Sequence, residues 1–535
     1  MKKYIIKLML PLAMVFIATS CGKSWLDVNT DPNNPKEATL GLLLPSAQVA
    51  WAFRMTRDMN KNTMVFTQQA YDLSESQYTQ NATTYSNDFN GLMYDVLKDN
   101  EEIINLGTAS EAWEFVGVAK IQKAYIYMIM VDLWGDLPFS EALQGEVSLT
   151  PKFDDDADVY SQLIGLIDEG IADLDKDSSV PLSGDIIYGN GVSKWKKAAN
   201  TIKLRIYLNT RKVDAAASTA GINALISAGG LIDSNEDDFE FQFGTSLSPL
   251  NRHPLYQIEY AGSGNKDVYM SNYFMYNLLK RNDPRVLYYI YRQGTDDDLT
   301  FETTPCSSRS DCVYGLLSTT DLGDAGDGYI GRDHGDPSGL PGDDEIRATW
   351  GVYPIGGSYD DDARSERTQG DGGQGEGVIT YMSNAMRAFM LAEAILTLPG
   401  VSAPKTAKEY MEEGMMASME KVEDFSLSAD ENAEPMDEDQ VQDYIDARLA
   451  DFDDEATNEL KLNVVIKEKY YAQFGNGMEV FTDLRRTGYP ADLPRSLAPA
   501  APFPLRLPYS VTELSGNPNA PSPPPSQDTP IFWDK

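Results

Sequence analysis

Residues 113–138 read WEFVGVAKIQKAYIYMIMVDLWGDLP. Trp113, Val116, Ile121, Ala124, Met128 and Val131 recur at helical spacing and form one apolar stripe. Gly135 and Pro138 follow where the end of a helix calls for those residues. Working outward, the same spacing returns at 159–174 with Leu163, Ile167, Ile171 and Leu174. It returns again at 193–210, where Trp195, Ala199, Ile202 and Ile206 share a face and Ser193 is placed to cap the start. Further helices are expected at 379–397, 405–423 and 456–474. Repeated helix pairs point to a solenoid-like packing. The tetratricopeptide pattern set on Trp113 fits only at the following apolar and Gly positions, so any repeats are degenerate.

Two stretches depart from this regularity. From 233 to 378 Gly, Asp and Pro dominate, and 321–345 alone holds eight acids and seven Gly. The run 424–455 has thirteen acids and one Arg, which reads as a solvated face or loop. The tail, 490–535, is Pro-rich and is expected to wrap the surface without regular structure. The division is therefore a helical scaffold at 38–230 and 379–490, a loop-rich segment at 233–378, and the tail, all within 38–535.

The start of the chain is a secretory signal. Lys2, Lys3 and Lys7 precede the short apolar run Leu8 to Ala18, and Ala18-Thr19-Ser20 lead into Cys21. That order makes 1–20 a lipoprotein signal and Cys21 the lipidated first residue, with 21–37 as an extended tether. No other stretch is long and apolar enough to span a bilayer, so lipid is the expected anchor. Residue 22 is Gly rather than Asp, which argues against retention at the inner membrane. Cys306 and Cys312 remain. A disulfide closing that small loop fits an exported protein, with two free thiols as the alternative.

The 535 residues carry 44 Lys and Arg against 82 Asp and Glu, a net charge of −38, which becomes −41 once the three Lys of the signal are removed. Such a surface repels phosphate backbones and anionic headgroups, so nucleic-acid binding is excluded as a main task. It favours neutral cargo over polyanionic cargo. The 42% hydrophobic content is that of a globular protein.

Catalytic signatures are sparse. The two His, His253 and His334, sit in loop contexts without a Gly-x-Ser-x-Gly or His-Glu-x-x-His motif, and both read as loop-packing residues. Two Gly-x-Gly-x-x-Gly matches, at Gly326 and Gly370, lack the strand and helix that a dinucleotide site requires. A glycosidase needs only two carboxylates, and no pair among so many acids stands out. No cofactor is required. Calcium has a physical case at Asp321, Asp324 and Asp327, which recur among Gly, although the spacing is not that of an EF-hand and a solvated loop is favoured. Lys194, Lys196, Lys197, Lys203, Arg205, Arg211 and Lys212 form a basic helix whose favoured reading is pairing with acidic neighbours.

Taken in order, these motifs resemble one family from end to end. They are Cys21 with Trp25-Leu26-Asp27; Tyr125 through Trp134-Gly135-Asp136-Leu137-Pro138-Phe139; and Trp195-Lys196-Lys197-Ala198-Ala199-Asn200 with Leu204-Arg205. Asp283-Pro284-Arg285, Gly331-Arg332-Asp333-His334-Gly335, Gly351-Val352-Tyr353-Pro354 and Ala392-Glu393-Ala394 follow. Phe474-Gly475 through Glu479, Asp483 and Arg485-Arg486-Thr487-Gly488-Tyr489-Pro490, then Arg506-Leu507-Pro508-Tyr509 and Phe532-Trp533-Asp534, complete the set. The chain resembles the SusD/RagB-like outer-membrane lipoproteins of Bacteroidetes. The resemblance implies an all-α protein with tetratricopeptide-like helix pairs supporting an irregular, loop-rich binding face. It also implies a surface-exposed, lipid-anchored protein that binds oligosaccharide and caps a SusC-like TonB-dependent transporter, breaking no bond. Peptide cargo is the alternative within the family, and a surface glycoside hydrolase the alternative outside it. Arg485, Arg486, Glu479 and Asp483 are expected to satisfy one another at a helix end, and Trp134 and Trp195 to pack in the core.

Sugars offer C–H faces to aromatic rings and hydroxyls to Asn, Asp and Arg. Two stretches supply that mixture. One is 69–94, with Tyr71, Tyr78, Asn81, Tyr85, Asn87 and Asp88. The other is 329–359, with Tyr329, Arg332, Trp350, Tyr353 and Tyr359. The candidate ligand-binding residues are the Tyr of both stretches together with Asn81, Arg332 and Trp350.

Overall fold

The computed structural model describes residues 39–260, 268–338 and 346–535; Cys21, the signal 1–20 and the tether 21–37 lie outside the described residues. The fold is helical, as expected. Seven longer helices precede the loop-rich segment: α1 (Leu40–Met55), α2 (Asp58–Phe66), α3 (Leu97–Ala109), α4 (Trp113–Trp134), α5 (Asp156–Asp173), α6 (Val192–Asn209) and α7 (Ala215–Ala228). One, α8 (Asn272–Lys280), lies inside it. Five follow: α9 (Asn384–Thr397), α10 (Ala407–Ala429), α11 (Glu438–Asp454), α12 (Asn458–Ala472) and α13 (Gly477–Thr487). The loop-rich segment is closed at its base by an antiparallel ribbon in which Phe239–Gln242 pairs with Val378–Met382. The strand occupies part of the 379–397 stretch expected to be helical, so α9 starts only at Asn384, capped by Ser383. The start of α6 also differs: Gly191, not Ser193, precedes its first turn.

Helix α4 is buried on almost every side, from Phe115 through Trp134, which exceeds the single stripe that its spacing predicted. A helix without a polar face belongs at the centre of a helical array. Its neighbour α5 runs antiparallel to it, since Lys120 meets Asp173 at 2.9 Å and the Asp132 end lies beside Tyr160. The backbones approach closely at Gly117 and Gly170, where a Cβ on either would come within about 3 Å of the other's carbonyl oxygen. The helix stops at Gly135, whose φ of 82° and contact with the Arg506 side chain exclude a larger residue. Around Trp51 the core is aromatic: its ring stacks on Tyr381 at 4.0 Å and meets Tyr125 and Phe239 at 5.6 Å.

The helices are also joined by buried charge. Asp132 on α4 accepts from Trp533 Nε1 (2.9 Å) and faces Arg205 of α6 at 3.4 Å. Arg205 pairs with Glu479 of α13 at 2.8 Å. Arg486 bonds both Glu393 of α9 (2.9 Å) and Asp483 (2.5 Å), and Lys469 of α12 reaches Asp483 at 2.9 Å. Arg485 instead donates to the carbonyls of Asp132 (2.6 Å) and Leu505 (2.7 Å). The four motif residues of α13 therefore do not satisfy one another as expected. Only Arg486 and Asp483 pair within the helix, because side chains pointing to different faces of α13 meet different helices.

The basic helix is internally paired, as read from the sequence: Lys196 with Asp175, Lys197 with Asp233 and Asp237, and Lys203 with Asp168. The acidic run 424–455 is more ordered than a loop. It includes the end of α10 and all of α11, with Tyr444, Ile445 and Phe452 turned inward. The tail is largely irregular, but it does not stay on the surface. Trp533 is fully buried, and Trp134 Nε1 donates to the Pro508 carbonyl at 3.0 Å.

Arg205→Ala is expected to destabilise the fold by about 3–5 kcal/mol in denaturant unfolding, since it leaves Asp132 and Glu479 buried without their shared cation. Trp350→Ala, a fully buried ring stacked on Phe474, is expected to cost a similar ~3–5 kcal/mol as a cavity.

Candidate functional site

The loop-rich segment is shaped by buried carboxylates that collect backbone N–H groups. Asp333 accepts from Val313 N (2.7 Å), Tyr314 N (2.9 Å), Gly315 N (2.9 Å) and Asn272 Nδ2 (2.8 Å). Asp336 accepts from Cys306 N (2.8 Å) and Ser338 N (2.9 Å). These bonds give irregular backbone the partners that a helix or sheet would otherwise supply. Cys306 and Cys312 are joined in a disulfide. Arg309, inside that small loop, donates to the Leu497 carbonyl at 3.1 Å and so ties the loop to the tail.

A groove of about 550 Å³ opens beside this anchorage. One wall is the Pro-rich strap 490–503, held by a series of bonds: Gln68 Nε2 to the Pro494 carbonyl (2.6 Å), Ser496 Oγ to the Ser76 carbonyl (2.7 Å), Leu497 N to the His334 carbonyl (2.8 Å) and Ala500 N to the Gln77 carbonyl (2.9 Å). Gly335, at φ 88°, lets the strap come this close, since a Cβ there would strike Ser496 and Leu497. The floor is aromatic. Phe66, at the end of α2, meets Tyr78 edge-on at 6.1 Å, and Tyr78 meets Phe503 at 5.5 Å. Leu484, Leu493 and several Pro complete the apolar lining, with Gln68, Ser496 and Arg495 as the polar groups. Arg495 is exposed and forms no ion pair among the described residues. No carboxylate lines the groove.

Under the floor, Tyr78 Oη bonds His334 Nε2 at 2.8 Å. Burial pushes His334 down to about 3, so it is a neutral packing group at physiological pH. His253 is likewise held down at about 3 by burial, and it caps a short helix by accepting from Leu255 N. Both His are therefore the loop-packing residues expected.

The candidate ligand-binding residues are placed differently from the expectation. Tyr71, Tyr85, Tyr329, Arg332, Trp350, Tyr353 and Tyr359 are buried. Tyr71 packs edge-on against Tyr269, Tyr85 Oη accepts from Asn62, and Arg292 covers the Tyr329 ring at 5.0 Å. The Arg332 guanidinium bonds the Gly331 carbonyl at 2.9 Å, and Tyr353 and Tyr359 pack on Tyr289 and Tyr288. Rings enclosed in this way offer no face to a sugar, so these residues are corrected to scaffold. Tyr78 lines the groove while mostly buried, and Asn81 is exposed in a turn whose Oδ1 accepts from Thr83 N at 2.9 Å. Asp321 and Asp327 also turn apart. Asp321 pairs with Lys280 and Tyr276, and Asp327 with Arg364, so with Asp324 they do not converge as calcium ligands would.

Phe66, Gln68, Arg495 and Phe503 were missed in the sequence. The usable signal was the strap, where Leu and Phe alternate with Pro in a segment too polar for a core and too apolar for a linker.

Residues 32–305 match the SusD-like_2 family, described as starch-binding and associating with the outer membrane, and residues 367–519 match the SusD-like family, the SusD and RagB outer-membrane lipoproteins. No curated protein matches. Among solved structures, a chitin-binding protein is 20% identical, with 93% of this chain and 100% of that chain covered at a TM-score of 0.69. A SusD/RagB family protein from Bacteroides thetaiotaomicron is 19% identical, with 93% and 99% covered at 0.71. A chitin-binding SusD homologue from Flavobacterium johnsoniae is 20% identical, with 92% and 97% covered at 0.64. At these identities the likeness is one of fold.

A buried His with a lowered pKa leaves the folded chain binding fewer protons than the unfolded chain between about pH 3 and 6.5, so its stabilising share is present above that window and lost as pH falls through it. In thermal unfolding, the stability gap between the native chain and His334→Gln is therefore expected to be smaller at pH 4.5 than at pH 7.

Proposed function

Because this chain belongs to the SusD and RagB family of outer-membrane lipoproteins, we propose that it holds an oligosaccharide in the strap-walled groove and delivers it to a SusC-like TonB-dependent transporter without breaking a bond. The observation that carries this reading is the composition of the groove. The half-buried Phe503 ring and the Pro walls suit the C–H faces of sugar rings, while the exposed Arg495 stands at a hydrogen-bonding position. A two-carboxylate mechanism has no residues to use there, since glycoside cleavage needs an acid and a second carboxylate flanking the bond. The uncharged floor favours neutral glycans. What two of the similar structures are said to bind makes chitin oligosaccharides a natural first probe, and the family description adds starch.

No helix among the described residues is long and apolar enough to cross a membrane. In this reading Cys21 carries the lipid, and residues 21–37 give the folded part reach from the outer-membrane surface. The Pro strap is prestiffened, so the groove keeps its shape with less ordering cost when cargo enters. The transporter then receives a cargo already desolvated along one side.

Isothermal titration against starch and chitin oligosaccharides, followed by chromatography of the recovered sugar, tests this. The expected result is saturable binding with chain length unchanged, weakened about tenfold by Phe503→Ala, as removal of a stacking ring worth ~1.5 kcal/mol predicts. Shortened products would overturn the binding-only reading. Retention of peptides rather than glycans would replace the cargo. Co-purification with a co-expressed TonB-dependent barrel tests the partner.

A further inference from the structure

The polar side chains of the groove lining are engaged within the protein, with one exception. Gln68 Nε2 donates to the Pro494 carbonyl (2.6 Å), Ser496 Oγ to the Ser76 carbonyl (2.7 Å), and the Tyr78 hydroxyl meets His334 Nε2 (2.8 Å). Arg495 stands between the anchors at Pro494 and Ser496, so its backbone is fixed on both sides. Its guanidinium is exposed and has no hydrogen bond, ion pair or ring contact among the described residues.

The acids around the strap are already held by other groups. Asp333, which shares a small neighbouring pocket with Arg495, accepts from three backbone N–H groups and from Asn272 Nδ2. Asp492, on the strap itself, pairs with Lys467 and accepts from Tyr273 Oη at 2.9 Å. Asp311 is gripped by Arg309 at 2.8 and 2.6 Å. None of the three pairs with Arg495, and the groove lining adds no carboxylate of its own. A guanidinium offers a rigid fork of N–H donors that matches the two oxygens of a carboxylate through parallel bonds.

We propose that Arg495 is a specificity-determining residue of the groove: it takes one carboxylate on the bound oligosaccharide, so that the preferred cargo is a mostly neutral glycan bearing a single uronic-acid-type unit. This inference rests on the groove reading and narrows its substrate class. Neutral rings lie along Phe503 and the Pro walls, and the carboxylate projects to the strap, where the fork meets it. One cation suits one charge. A glycan charged on every ring would be repelled on approach by a chain of net charge −38.

The test compares starch and chitin oligosaccharides with the same chains in which the terminal primary alcohol has been oxidised to a carboxylate, by calorimetric titration of the mature protein. At low salt the carboxylated chain is expected to bind about two- to fivefold tighter than its neutral parent, the range that an exposed ion pair supports. The gap should close in about 1 M sodium chloride, where charges are screened within about 3 Å. Arg495→Gln changes an exposed side chain, and it should bring the ratio of the two affinities to about one, whereas Arg495→Lys should restore part of the preference. Equal binding of both chains by the native protein, or a preference that survives in Arg495→Gln, would overturn the role of Arg495 and leave the groove reading standing. Tighter binding of a chain sulfated at the same position would overturn the choice of a carboxylate. Binding of neither the neutral nor the carboxylated chains would remove the groove reading, and this inference with it.

Discussion

Everything in this fold hangs on how Asp132 is satisfied. It sits near the end of the most buried helix, within reach of Arg205, Asn209 and Trp533, which come from α6 and from the far end of the chain. A buried carboxylate is costly unless its partners are fixed in place, so the demand passes outward. Arg205 must also meet Glu479, whose own carboxyl is raised to about 7 by burial, and α13 must then present Asp483 and Arg486 to α12 and α9. Hydrophobic packing alone would let these helices slide past one another. The charge network selects one arrangement, and it reaches residues more than four hundred positions apart.

That constraint explains why the tail returns to the core. Trp533 closes the network at Asp132, while the strap before it closes the groove at Gln68 and Ser76. The same polypeptide segment thus joins the scaffold to the groove. The strap and the scaffold share a covalent connection, and the intervening turns are pinned by Leu507 N on the Leu133 carbonyl and Tyr509 Oη on the Asp136 carbonyl.

The helices were legible because their apolar spacing is a local property, and the chosen stripes at α4, α5 and α6 lie in the core except for the half-buried Trp113 and Ile171. Boundaries were less so: the cap expected at Ser193 failed because Gly191 already turns the chain, and Val378–Met382 became strand because Phe239–Gln242 was available to pair with it. The disulfide and the pairing of the basic helix followed from compartment and charge. The site was not legible. Tyr and Trp in a loop-rich sequence look exposed, yet Trp350, Tyr353 and Tyr329 belong to the same core as the helices and pack under the loops on Phe474, Tyr289 and Arg292. Irregular backbone does not imply an exposed side chain when buried Asp groups hold that backbone in place.

Net charge, finally, is a poor guide to what a site sees. Many of the acids of this chain are either spent on backbone N–H groups, as Asp333 and Asp336 are, or paired on the surface with Lys and Arg. The groove has no carboxylate in its lining, and its one charged lining residue is the exposed Arg495. Salt screens the distant acids within about 10 Å at 0.1 M, so groups in the wall dominate what a bound molecule feels. A strongly acidic protein can therefore carry a groove free of acids in its lining. The overall field acts earlier, on approach, where it slows large polyanions more than neutral molecules.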